Sequence, residues 1–212
     1  TVFGMMTINK WFSMTQYILS GVGVTLSLYA VTIIMSIPLG MLGALGKVST
    51  TNKTISFLLD SFTWLFRGTP LMLQLFFVYF GLVTIGIRLT PFQSAVITFV
   101  LNYSAYFIEI FRGGIGAIDQ GQYEAAQALG LNYRATMSHV IIPQSLKAVL
   151  PSITNEAITL VKDTALVAAI GMNDLLRASK EIVVREMIMT PFIIAAIIYL
   201  LLTSIVIYVF KK

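Results

Sequence analysis

From about Gln16 to Leu45 the chain carries no charged residue. About 20 helical residues cross the hydrocarbon core of a bilayer, so this run predicts one tilted spanning helix over residues 16–46 with an interfacial start. Backbone groups in lipid must pair within their own segment, which makes such runs helical. Four further runs follow, at residues 54–82, 92–112, 144–170 and 191–210. The expected fold class is therefore all-α and integral to the membrane, with five spans in a single domain over residues 1–212. The chain is 57% hydrophobic and only 11% charged, whereas soluble domains carry roughly 25% charged residues. Cysteine is absent and His139 is the one histidine, which removes disulfides, thiolate nucleophiles and any histidine cluster for a metal. No basic stretch leads into an apolar core near the start, so no cleavable signal peptide is expected.

Within the first run, Ser36, Gly40 and Ala44 recur every fourth residue and favour close helix approach, although each is equally consistent with a lipid-facing position. Pro38 predicts a bend, and Lys10, Trp11 and Phe12 suit the membrane–water boundary. Residues 47–53 form a polar loop, with Lys47 read as an anchor at its start. Gly46-Lys47 fails as a phosphate loop, because Met41 replaces the first glycine and Val48 the hydroxyl residue that would hold magnesium.

Arg67-Gly68-Thr69-Pro70-Leu71 predicts a helix restart inside the second run, with Thr69 as cap and Pro70 in the first turn. Free N–H groups there would seat a carboxylate. Arg67 either adds a full charge to that seat, braces the bundle, or pairs with Asp60. In the third run Thr98, Asn102, Tyr106 and Glu109 share one helical face, and Glu109 and Arg112 stand three apart, close enough to pair. In the fourth run Ser152, Glu156, Thr159 and Asp163 form one polar stripe on an otherwise apolar helix. A mid-membrane Asp costs about 2.5–3.5 kcal/mol, so the stripe either lines a hydrophilic cavity or joins an internal salt-bridge network. Lys162, about a third of a turn off the stripe, is one candidate partner. Residues 171–190 read as a polar external segment holding an amphipathic helix, which either meets an external protein or is simply solvated.

The remaining polar stretch, Gly121-Gln122-Tyr123-Glu124-Ala125-Ala126-Gln127-Ala128-Leu129-Gly130-Leu131, predicts a short helix that Gly130 terminates. It is closed by Val140-Ile141-Ile142-Pro143-Gln144. Glu-Ala-Ala, three residues, Gly, nine residues, then aliphatic-any-aliphatic-Pro resembles the EAA loop of the membrane subunits of ABC importers. Val140 and Ile142 stand where that family favours Ile and Leu, and Asp119 where it often has Pro. Arg67 to Leu71 with Gln74, and Asn102 to Tyr106 with Glu109 and Arg112-Gly113-Gly114, resemble its polar amino acid branch, which serves His, Glu, Gln, Arg and opines.

This resemblance implies the five-helix core of type I importers with a cytoplasmic coupling helix in a loop over residues 121–143. It implies Glu124, Ala125, Ala126, Leu129 and Gly130 as the seat of a cytoplasmic ABC ATPase dimer. ATP and Mg would be bound by those partners, with no cofactor, metal or catalytic residue in this chain. A second permease subunit, identical or not, and an extracellular solute-binding protein or domain would complete the assembly. By motif, Asn102, Glu156 and Asp163 would hold a polar amino acid, with Thr69, Met72 and Gln74 beside them; Glu156 and Asp163, if both ionised and facing the cavity, would give a cationic one a counter-charge. Arg67, Pro70, Glu109 and Arg112 would serve as gate or structural residues. Lipid is the remaining partner, and no nucleic acid is expected.

With Arg67 and Lys162 counted as intramembrane, seven Lys and Arg fall on the side of the EAA loop and five on the other. The bias favours an outside N-terminus and a cytoplasmic C-terminus, in a bacterial cell membrane as the resemblance implies. Two other functions fit parts of the chain. A proton-coupled amino acid transporter would use Glu156 or Asp163 as relay but leaves the EAA loop without a role. A membrane scaffold would have no solute path at all.

Overall fold

The computed structural model describes residues 8–210, and every regular element among them is helical. The α-helices are α1 (Ile8–Ser20), α2 (Val22–Ser49), α3 (Lys53–Gly68), α4 (Leu71–Phe76), α5 (Pro91–Gly116), α6 (Gln120–Ala128), α7 (Tyr133–Thr136), α8 (Ile142–Asp163), α9 (Leu175–Glu186) and α10 (Thr190–Phe210). Wider π turns occupy Phe77–Gly81 and Met137–Ile141, and tighter 3-10 turns Leu82–Ile85 and Thr164–Ile170.

Among the described residues, three segments are long and apolar enough to cross a membrane: Lys10–Ser49, Pro91–Gly116 and Thr190–Phe210. The second expected run is broken at Thr69–Pro70 into α3 and the segment Leu71–Ile85, which qualify only as a pair. The 22 residues of α8 reach roughly 33 Å at 1.5 Å per residue. That is long enough to span, but its polar stripe keeps it short of the apolar requirement.

The chain divides into two compact units. One takes in the chain up to Ile33, Leu71–Phe99, and everything from Ala157 on. Its core joins Met14 and Ile18 of α1 to Leu175 and Ile182 of α9 and Ala195 of α10. The first expected span lies within the one membrane-length segment Lys10–Ser49, which carries a single-residue turn at Gly21 between α1 and α2. A Cβ on Gly21 would sit 2.5 Å from the backbone carbon and oxygen of Asp174, so only glycine lets the chain pass there. Two polar contacts tie α1 to α9: Lys10 Nζ to Glu186 Oε2 at 2.8 Å, and the Tyr17 hydroxyl donating to Glu181 Oε2 at 2.5 Å. Asp174, fully buried, caps α9 by accepting from the backbone N–H groups of Leu176 and Arg177 at 3.0 and 3.1 Å.

The other unit comprises Ile34–Pro70 and Val100–Glu156. Ser36 and Ala44 are fully buried, as their spacing predicts. Between them, Gly40 meets Phe107 of α5 so closely that a Cβ would overlap the ring-bearing carbon, and one on Gly43 would stand 2.5 Å from Ile108 Cδ1. Two turns further along α5 from Phe107, a Cβ on Gly114 would overlap Val149 of α8.

Candidate functional site

The Glu124–Leu129 stretch folds as predicted. Asp119, where the resembled family often has Pro, turns the chain by capping α6, its Oδ1 accepting from Gly121 N–H at 2.7 Å. At the far end Gly130 takes φ +76°, Gly130 N–H donates to the Gln127 carbonyl and Leu131 N–H to that of Ala126. This paired closure is the Schellman stop that glycine favours. Beneath the helix lies a core of Ile115, Met137 and Ile141, with Tyr123, Val140 and Ile142 packed against it. The aliphatic positions of the motif therefore support α6 from below.

Ala126 is 2% exposed and belongs to that support. Glu124, Ala125 and Gly130 are exposed, and Leu129 is 80% exposed. Tyr133, which the motif does not single out, is also exposed, and its hydroxyl meets Ser49 Oγ at 3.1 Å. Gln144 Nε2 donates to Gln122 Oε1 and to the Val140 carbonyl, both at 2.9 Å, pinning the start of α8 to α6.

In the same unit, five charged side chains meet where α2, α3 and α5 approach. Lys47 is not a solvated anchor: its side chain is only 6% exposed. Its Nζ contacts Asp60 Oδ1 at 2.7 Å, Glu109 Oε1 at 2.6 Å and Thr63 Oγ1 at 2.8 Å. An ammonium removed from water needs such a set of acceptors. Asp60 thus pairs with Lys47 and not with Arg67. Glu109 and Arg112 pair as expected, Oε2 accepting from Nε at 2.9 Å and Nη2 at 2.7 Å. Arg67 stands 3.9 Å from Glu109 Oε2 and lies over the Tyr106 ring, 5.5 Å from its centroid.

Thr69 Oγ1 turns back to donate to the Leu65 carbonyl at 2.8 Å, at the C-terminal end of α3. Pro70 is exposed at the break. Asn102 is buried and donates from Nδ2 to the Phe66 carbonyl at 2.8 Å, tying α5 to the last turn of α3. Asn102, Thr69 and Glu156 belong to this unit, whereas Met72, Gln74 and Asp163 belong to the other. Glu156 and Asp163, both half-buried, stand two turns apart on α8.

In the other unit Met72 lines a cavity of about 650 Å³ whose far wall is α9, with Arg177, Lys180, Glu181 and Arg185. A second cavity of about 490 Å³ is lined by Lys162 and by Tyr199 and Thr203 of α10.

An all-helical chain with several bilayer-length helices, and a capped, core-backed helix on the polar connection between two of them, is a multi-pass membrane protein of the transporter type. Residues 36–211 match the binding-protein-dependent transport system inner membrane components, and the chain belongs to that family. It is 42% identical over 197 residues to the arginine transport system permease protein ArtQ of Bacillus subtilis, covering 92% of this chain and 90% of that protein. A putative glutamine transport system permease protein, GlnP of Rickettsia bellii, is 36% identical over 91% of this chain and 89% of its own. The fold matches a chain in the crystal structure of an amino acid ABC transporter with histidines, with a TM-score of 0.89, 34% identity, and coverage of 98% of this chain and 97% of that one. The inward facing MetNI methionine ABC transporter shares the fold at a TM-score of 0.75 and 18% identity, over 94% of this chain and 95% of its own. The protein is thus the permease component of an amino acid ABC transporter.

Proposed function

We propose that this permease forms the translocation path of an ATP-driven importer for a cationic amino acid, and that α6 is the helix through which a cytoplasmic ATPase moves it. The observation that carries the reading is the presentation of α6. Its ends are closed by Asp119 and Gly130, Ala126, Tyr123, Val140 and Ile142 fix it from below, and Glu124, Ala125 and Leu129 face outward. A rigid helix with an exposed apolar tip is what a groove on a partner grips.

In this reading α8 is the fourth of five spans, the N-terminus lies outside, and α6 and the C-terminus are cytoplasmic. ATP and Mg reside in the ATPase dimer, a second permease subunit completes the path, and a solute-binding protein delivers substrate from outside. Closure of the ATPases displaces α6, and the packed helices above it convert the displacement into alternating access. Asn102, Glu156 and Asp163 hold the solute, with Thr69, Met72 and Gln74 nearby. Two carboxylates on the α8 stripe favour a cation, in keeping with the arginine transport named for the most similar relative cited. Family membership disfavours the proton-coupled alternative, which has no use for α6.

Reconstituted vesicles containing the permease, its ATPase and its binding protein test the reading. Arginine uptake should require internal ATP, persist with a protonophore, and fall when Glu156→Gln or Asp163→Asn is introduced. Uptake indifferent to ATP, or unaltered in both variants, would reject it.

A further inference from the structure

Lys162 is exposed on α8 and makes no ion pair within 4.0 Å among the described residues. Its neighbour Asp163 points about 100° away around the helix. An ammonium in a membrane-embedded helix is retained where it meets water or an anion. Here it lines the 490 Å³ cavity, and the remaining polar groups there are the hydroxyl-bearing side chains Tyr199 and Thr203. That cavity and the 650 Å³ one share Ala165 in their walls, so the two adjoin. The larger cavity carries Met72 on one wall and three cations, Arg177, Lys180 and Arg185, on another. Arg177 is held by Glu181 at 2.9 Å and Arg185 by Glu186 at 3.2 Å, while Lys180 has no acidic partner within 4.0 Å. The two adjoining spaces are therefore lined by an excess of positive charge, ending in an unpaired ammonium.

Every amino acid brings a carboxylate as well as an ammonium group. The acidic residues assigned to the solute answer only its cationic parts. We propose that Lys162 binds the α-carboxylate of the transported amino acid, which reaches it through the cavity edged by Lys180. This rests on the reading that α9 faces outside and α8 lines the path. The carboxylate–ammonium pair would form in a partly dehydrated cavity, where a charge-assisted hydrogen bond discriminates strongly against a ligand that lacks the charge.

The test is equilibrium binding of labelled arginine and of agmatine, its decarboxylated analogue, to the purified permease–ATPase complex in nanodiscs without binding protein. Lys162→Met should weaken arginine binding at least tenfold, leave agmatine binding unchanged, and thereby abolish the preference for arginine. Lys162→Arg should restore it. If Lys162→Met does not assemble, Lys162→Gln carries the same expectations. Arginine binding unaltered by loss of the charge overturns the proposal, as does equal weakening of arginine and agmatine. So does an effect seen only in discs containing anionic phosphatidylglycerol, which would mark Lys162 as a lipid contact. Asp163→Asn separates the two layers: weakened binding of both ligands there, with no Lys162 effect, sinks this proposal alone. No arginine binding by the unaltered complex sinks the path reading and the proposal together.

Discussion

Lys47 Nζ lies 2.6 Å from Glu109 Oε1, and both side chains are largely withdrawn from solvent, at 6% and 15% exposure. Glu109 also accepts from Arg112, and Lys47 also reaches Asp60. Removing one member of a buried pair costs up to about 3–5 kcal/mol, and less here, because Asp60 still answers Lys47 and Arg112 still answers Glu109. Glu109→Leu and Lys47→Met should each lower the melting temperature of the detergent-solubilised complex clearly. The double variant should recover most of the loss. Melting shifts that simply add would show that the two charges are not coupled.

Gly130 takes φ +76° with open space where a Cβ would stand. Gly130→Ala therefore meets only the backbone penalty, about 1–2 kcal/mol, and should loosen α6 without disturbing the core beneath it. ATPase co-purification and transport should fall together, and Gly130→Asn should be milder. Leu129→Ala, at a side chain 80% exposed, should leave thermal stability unchanged and weaken ATPase association about tenfold, if Leu129 is one of the apolar anchors of that contact. Full retention of ATPase by both variants would exclude α6 as the docking helix.

Gly21 and Gly23 make a controlled pair. At Gly21 a new Cβ meets the backbone of Asp174 and Leu175 at 2.5–2.7 Å, whereas at Gly23 nothing lies within 4 Å. Gly21→Ala should cost about 1–3 kcal/mol or more, as overpacking against rigid atoms does. Gly23→Ala should be neutral or stabilise α2 by up to about 1 kcal/mol. Fluorescence-detected size exclusion after heating distinguishes them.

The α1–α9 contacts carry a defined pH sign. The Tyr17 hydrogen bond holds the Glu181 carboxyl below its usual range, and the Lys10 ammonium does the same for Glu186. A lowered folded value means that stabilisation is present above the ordinary carboxylate pKa of about 4.3 and is lost as pH falls through the folded value. Burial pushes Asp174 the other way, so its contribution is present at low pH and lost as pH rises through its folded value. The protection factor of α1, its exchange rate referred to the intrinsic rate at the same pH, should thus be high at pH 7 and fall on acidification below about 4. Glu186→Gln should flatten that response. An α1 with the same protection factor at both pH values in the unaltered chain would show that these contacts do not hold it.

The elements whose signals are local were legible in the chain. Gly130 stops α6, apolar length marks α5 and α10, and the four-residue spacing of Ser36, Gly40 and Ala44 marks a close helix contact. What stayed hidden depends on distant partners. Gly21 reads as one more small residue in an apolar run, and only Asp174 passing over it reveals the turn. Lys47 beside a polar loop reads as solvated, because Asp60 and Glu109 come from other helices. The π turn at Met137–Ile141 leaves no compositional trace, since Val140 and Ile142 suit a regular helix equally well.

Phe107 and Ile108 of α5 sit in notches left by Gly40 and Gly43, while Val149 of α8 sits in the notch left by Gly114. A rod seated at two levels along its length cannot slide or roll against α2 and α8 without lifting out of those notches. Under the proposed coupling through α6, a stroke would carry α5 and the flanking stretches of α2 and α8 bodily, like three teeth of one cog. A single added methyl at Gly40, pressed against the Phe107 backbone, would jam the gear.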